Sequence, residues 1–190
     1  MPELKLEPVR TALLIMDFQS STVERYATDP DDLLSATAKT ISAARRVGML
    51  LIYVVVGFRP GFPEVSSRNP TFSAIKTAGG IPTDIHARVA PAANEVVVMK
   101  HRVSAFAGTD LDMILRSNEV DTLVLCGVAT SGVVLSTLRQ AADADYRIIV
   151  LRDCCGDLDA EVHACLMNKD FPRQATVLPS VDFTSALQDA

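Results

Sequence analysis

The chain has 190 residues, a formal net charge of −5 and 48% hydrophobic residues. That length suits one domain spanning 1–190, with apolar content enough for a sizeable core. The acidic balance, with both signs interspersed, excludes a general nucleic-acid surface, and apolar runs of strand length exclude a membrane span.

In chain order, the first apolar run is TALLIMDF (11–18), expected as a strand. PDDLLSATAKTISAARRVG (30–48) repeats apolar residues at helical spacing and stops at Gly48, a good C-terminal signal. A second strand is expected over MLLIYVVVGF (49–58). The stretch 59–94 is rich in Pro, Gly and Ser and too long for a simple connection; such a segment in a compact domain is usually either functional or disordered. NEVVVMK (94–100) is a third strand, and TDLDMILRSNEV (109–120) a helix that opens on capping residues. DTLVLCGV (121–128), YRIIVLRD (146–153) and ATVLPS (175–180) complete the strands. Helices are expected over 132–146 and 159–171. The Val-, Ile- and Leu-rich runs mostly do not alternate with polar residues, as befits strands buried on both faces. Strand and helix alternate, so the expected class is α/β with parallel strands and right-handed crossovers.

Ligands of such sheets bind outside the carboxyl ends of the strands. Those ends deliver Asp17, Phe18 and Gln19; then Phe58 and Arg59; then Lys100, His101 and Arg102; then the turn 127–133; then Asp153, Cys154 and Cys155. A carboxylate and an ammonium at neighbouring strand ends would form an acid/base pair. Taken singly, Asp17 reads equally as a helix cap, and Lys100 as a lysine reaching solvent. The four cysteines, 126, 154, 155 and 165, show no paired CxxC spacing. No basic start, apolar run and small-residue cleavage site occur together at the N-terminus. Both features suggest a cytoplasmic protein with reduced thiols. The three histidines have no ligand spacing and no G-x-G-x-x-G turn is present, so neither a metal nor a nucleotide cofactor is expected.

Three segments together resemble the isochorismatase-like hydrolases, a superfamily that also holds nicotinamidases and other cysteine hydrolases. TALLIMDFQ resembles the opening strand with its catalytic aspartate, here Asp17. VVVMKHRVSAFAGTDLDMIL resembles the catalytic-lysine segment, here Lys100. DTLVLCGVATSGVVLSTLRQ resembles the strand, turn and helix that carry the nucleophile. The resemblance runs from about residue 10 to 180 and keeps its order. It implies a three-layer, Rossmann-like fold with a six-stranded sheet, mostly parallel, between helices. It also implies a cis peptide between Val128 and Ala129. The backbone donors of the turn Val128, Ala129, Thr130, Gly132 and Val133 would then form an oxyanion hole.

The sequence departs from that pattern at one place. Val133 stands where the cysteine hydrolases of the superfamily have their nucleophile. Cys126 sits inside a strand and reads as a small core residue. The resemblance therefore implies a hydrolase without a cysteine nucleophile. Asp17 would serve as general acid or base, Lys100 would assist, and a small polar vinyl ether or amide would be the substrate. Burial raises the pKa of Asp17 and Lys100 lowers it, so its charge state stays open at this level. Gln19, Phe58, Arg59 and Phe106 are the candidates for the substrate pocket, with Arg68 and Arg102 as further cations. A homo-oligomer, a dimer or larger, is expected from the resemblance. The alternative is an inactive member that binds a small molecule or acts as an oligomeric interaction protein.

Overall fold

A computed structural model describes residues 6–188. Six strands form one sheet in the order β3-β2-β1-β4-β5-β6, every neighbouring pair parallel. The strands are β1 (Thr11–Met16), β2 (Leu50–Val56), β3 (Val96–Lys100), β4 (Thr122–Val128), β5 (Arg147–Gly156) and β6 (Thr176–Leu178). The helices are α1 (Ser20–Tyr26), α2 (Pro30–Arg46), α3 (Pro70–Thr77), α4 (Leu111–Ser117), α5 (Leu135–Asp143), α6 (Ala160–Cys165) and α7 (Ser180–Ala186). The expected α/β class and six-stranded three-layer architecture are what the chain adopts.

The central strands are apolar because both their faces are covered. All six residues of β1 and all seven of β4 are buried. On one face Leu13, Ile15, Val124 and Cys126 pack with Leu33, Leu34 and Ile41 of α2 and Phe183 of α7. On the other, Leu14, Met16, Leu123 and Leu125 pack with Leu111 and Leu115 of α4 and Leu138 of α5. Long α2 is well signalled locally: the Asp29 carboxylate caps the Asp32 N–H at 3.2 Å, Pro30 opens the helix, and Arg45 and Arg46 close it. Gly48 follows with φ +68°, a left-handed conformation that glycine adopts without strain.

Three details differ from the sequence reading. Short α1 and α7 were not expected; each has few apolar residues, so periodicity is weak over one or two turns. The stretch 59–94 contains α3, opened by the Asn69 side chain capping Phe72 N–H. Strand β5 runs on to Gly156, past a register shift against β4 between Leu125 and Gly127.

Gly127 shows how tightly β4 sits between β1 and the following helical turn. A Cβ there would lie 2.9 Å from Val134 Cγ2 and 3.2 Å from the Met16 carbonyl oxygen. The second neighbour is backbone and cannot rotate away. Gly127→Ala is therefore expected to destabilise the fold by about 1–3 kcal/mol, read as a lower denaturant midpoint at unchanged slope.

Candidate active site

Asp17 directly follows β1 and continues its ladder, donating its N–H to Val54 O at 2.8 Å. Its φ of +57° places it in the left-handed region, which Asp tolerates better than most residues and which concentrates at functional sites. Lys100 closes β3. Because β2 lies between β1 and β3, the two residues are not at neighbouring strand ends, contrary to the expectation from sequence. The long lysine side chain spans the gap all the same: Nζ lies 2.8 Å from Asp17 Oδ2 and donates to Arg102 O at 3.1 Å. Both side chains are almost wholly buried, at 3% and 9% exposure for Lys100 and Asp17.

The two oxygens of Asp17 are not equivalent. Oδ2 faces the ammonium, whereas Oδ1 is buried with no hydrogen-bond partner among the described residues. Burial pushes the Asp17 carboxyl above its ordinary value; Lys100 pulls it back, and the nearby Val56 N–H adds a smaller pull, but burial prevails. The Val56 N–H itself donates to Gln19 Oε1 at 2.9 Å. An ammonium is a donor only, so a proton on this carboxyl belongs on Oδ1.

Gln19 has a different job from the pocket contact expected of it. It is fully buried and both ends are spent on backbone. Besides accepting from Val56 N–H, its amide donates to Val56 O at 3.1 Å and to Pro82 O. His86 N–H donates to Phe18 O at 2.8 Å and Ser20 N–H to Asp84 O at 3.1 Å. These bonds pin the returning end of the long loop along the Asp17 segment. The lysine segment is anchored as firmly to α5. Ser104 Oγ donates to Gln140 Oε1 at 2.8 Å, and Ala105 N–H to Thr137 Oγ1 at 3.0 Å.

The turn after β4 begins with the Val128–Ala129 peptide, which is cis. Thr130–Val134 then form one wide helical turn that leads into α5. Of its N–H groups, those of Gly132 and Val134 both donate to Ala129 O, at 3.1 and 3.3 Å, and that of Ser131 donates to Asp157 Oδ2 at 2.7 Å. The amides of Ala129 and Thr130 have no protein acceptor among the described residues. Gly132 is thus not free as a donor, while the start of the turn is. Val133 is 2% exposed and packs in the core with Val134 and Leu138.

The remaining pocket candidates scatter. Phe58 joins an aromatic cluster, with ring centroids 5.8 Å from Phe62, 5.6 Å from Phe72 and 6.1 Å from His101. Arg59 is 66% exposed and pairs with Glu64. Phe106 is buried in the core and packs against Tyr146, with centroids 6.1 Å apart, so it is a packing residue rather than an open wall. Arg68 and Arg102 are exposed. Cys126 and Cys154 are completely buried, and burial drives the Cys126 and Cys155 thiols far up, away from the reactive thiolate. Among the described residues, no three His, Cys, Asp or Glu side chains gather as a metal site. Asp157 and His163 grip the turn; the sequence signals Asp157 only through the DLD run after the cysteines, and it offers His163 only as one of three histidines without ligand spacing.

Comparison with known proteins adds the family. The model of the isochorismatase domain matches residues 11–182. An uncharacterized isochorismatase family protein of Escherichia coli is 29% identical over 97% of this chain and 100% of its own length. The maleamate amidohydrolase of Pseudomonas putida is 29% identical over 81% of this chain and 76% of its own. Among solved structures, an isochorismatase family protein of Burkholderia thailandensis superposes with a TM-score of 0.83, at 26% identity, covering 97% of this chain and 98% of its own.

Proposed function

The chain belongs to the isochorismatase family, and from that premise we propose that it hydrolyses a small polar molecule without a cysteine nucleophile. Asp17 is the general acid/base and Lys100 its partner. The observation that carries this reading is the asymmetry of the Asp17 carboxyl: Lys100 holds Oδ2, and Oδ1 is buried without a partner. The first step in this reading is proton donation from the side of Oδ1, and the upward push of burial on the carboxyl is in its favour.

For a vinyl ether, Asp17 gives its proton to the enol-ether carbon and an oxocarbenium ion forms. Water adds and returns a proton to Asp17. The resulting hemiketal collapses to a ketone and an alcohol. For an amide, water attacks the carbonyl, the same proton goes to the leaving nitrogen as the C–N bond breaks, and the proton lost by the attacking water returns to Asp17. The free N–H groups of Ala129 and Thr130 are the donors for the developing oxyanion. The kinship with a maleamate amidohydrolase supports the amide arm, and the absence of a thiol at position 133 supports the vinyl-ether arm.

The test sets isochorismate beside a panel of small amides, with Asp17→Asn as control. Release of pyruvate that depends on Asp17 selects the ether, and release of ammonia selects the amide. A panel on which wild type and variant are equally silent removes isochorismate and the tested amides as substrates and puts the binder reading first.

Val133, packed in the core, favours a second reading, a small-molecule binder that turns nothing over. That reading requires a ligand bound equally well by wild type and Asp17→Asn, with no product from either. Under the leading reading, Val133→Cys gains no thiol chemistry, because the new sulfur would be sealed in the same core. Intact-mass spectrometry after incubation with amide substrates should show no acyl adduct. The working protein is taken to be a cytoplasmic homo-oligomer, to be measured as molecular mass in solution.

A further inference from the structure

We infer that Asp157 is a positioning residue for the turn Ala129–Val133, holding the Ser131 amide so that the free amides of Ala129 and Thr130 keep a fixed direction. This rests on the hydrolase reading above, which gives those two amides their task.

Asp157 follows directly on β5 and is 7% exposed. Its Oδ2 accepts the Ser131 N–H at 2.7 Å and its Oδ1 faces the Asp159 N–H at 3.4 Å. Its carbonyl oxygen accepts from Thr28 Oγ1 at 3.1 Å. The carboxylate is therefore fixed from several sides and already engaged, which suits an orienting group rather than one that meets substrate. A carboxylate accepting a backbone N–H makes a charge-assisted bond, about twice as strong as a neutral one.

The adjacent residue is gripped from the same side. Thr130 Oγ1 donates to Gly156 O at 3.1 Å and lies 2.8 Å from His163 Nδ1. With the single hydroxyl proton spent on Gly156, Nδ1 of His163 must carry the proton of that second bond. Burial lowers the His163 pKa, against a smaller opposing pull from Asp157.

The need for an outside grip follows from the turn's own bonds. Gly132 and Val134 converge on one acceptor, Ala129 O, and these bonds fix only the later part of the turn. The Ser131 N–H is held by Asp157, a residue of another element. A misplacement of about 1 Å at catalytic donors costs on the order of 100-fold in rate.

The test compares Asp157→Ala, which removes the acceptor, with Asp157→Asn, which keeps an oxygen able to take the Ser131 N–H. Expected for the alanine variant is a kcat lower by roughly 100-fold with little change in KM, and for the asparagine variant a rate near wild type. Amide hydrogen exchange at Ser131, read by NMR on the whole protein, should speed up roughly tenfold or more in the alanine variant and not in the asparagine variant. Unchanged Ser131 exchange in Asp157→Ala overturns the inference. So does an equal loss of rate in both variants, or a loss carried by KM alone. If the wild-type protein turns over nothing, the exchange comparison still decides whether Asp157 holds the turn, and only the hydrolase reading falls.

Discussion

Asp17→Asn is expected to lower kcat by roughly 100- to 10,000-fold, the range a positioned general acid contributes, while the protein stays folded. Asparagine has nearly the shape of a protonated aspartic acid, and its amide oxygen can still accept from Lys100 Nζ. It has no proton to give from the position of Oδ1. Steady-state kinetics on whichever substrate the panel identifies, beside a denaturation midpoint, separates the two effects. A variant that keeps about a tenth of the wild-type rate or more would show that Asp17 is not the acid. In the wild type the carboxyl sits above its ordinary value, and only its protonated form is productive. The rate should therefore be highest below the folded pKa of Asp17 and fall as pH rises through it.

Lys100→Met should change both stability and that pH profile. It removes the positive charge at 2.8 Å and leaves burial opposed only by the smaller pull of the Val56 N–H. The carboxyl pKa then moves further up, and the falling limb of the rate profile moves to higher pH. Breaking a buried ion pair by removing one partner costs about 3–5 kcal/mol, because the other charge is stranded. Here the stranded group can escape by binding a proton. A carboxyl that binds its proton more tightly when folded loses folding stability as pH rises from its unfolded pKa toward its folded one. The deficit of Lys100→Met relative to wild type should accordingly be small near about pH 4 and grow toward neutral pH. Urea denaturation of both proteins across that range measures it. A deficit independent of pH would mean that the lysine contributes packing of its stem and not charge.

Several features were legible because their cause is local. The strands β1 and β4 are sealed on both faces, so their sequences are unbroken apolar runs. The helix α2 carries its own cap, opening proline and terminal glycine. Asp17 and Lys100 stand out as charges at the ends of apolar strands, and the departure at Val133 is visible in the sequence alone. Other features were hidden. Gln19 reads as a polar residue beside a catalytic candidate; only the approach of Val56 and Pro82 makes it a brace. Phe106 reads as a pocket wall until Tyr146 is seen against it.

The sequence by itself determined the alternation of strands and helices, the family pattern and the residue types placed at the strand ends, since each depends on neighbours a few positions away. The tertiary structure alone decided that Lys100 reaches across β2 to one particular oxygen of Asp17, that the other oxygen stays free, and that Asp157 takes up the Ser131 amide. These contacts join segments far apart in the chain, and strand order and register, which no local pattern encodes, fix the distances between them.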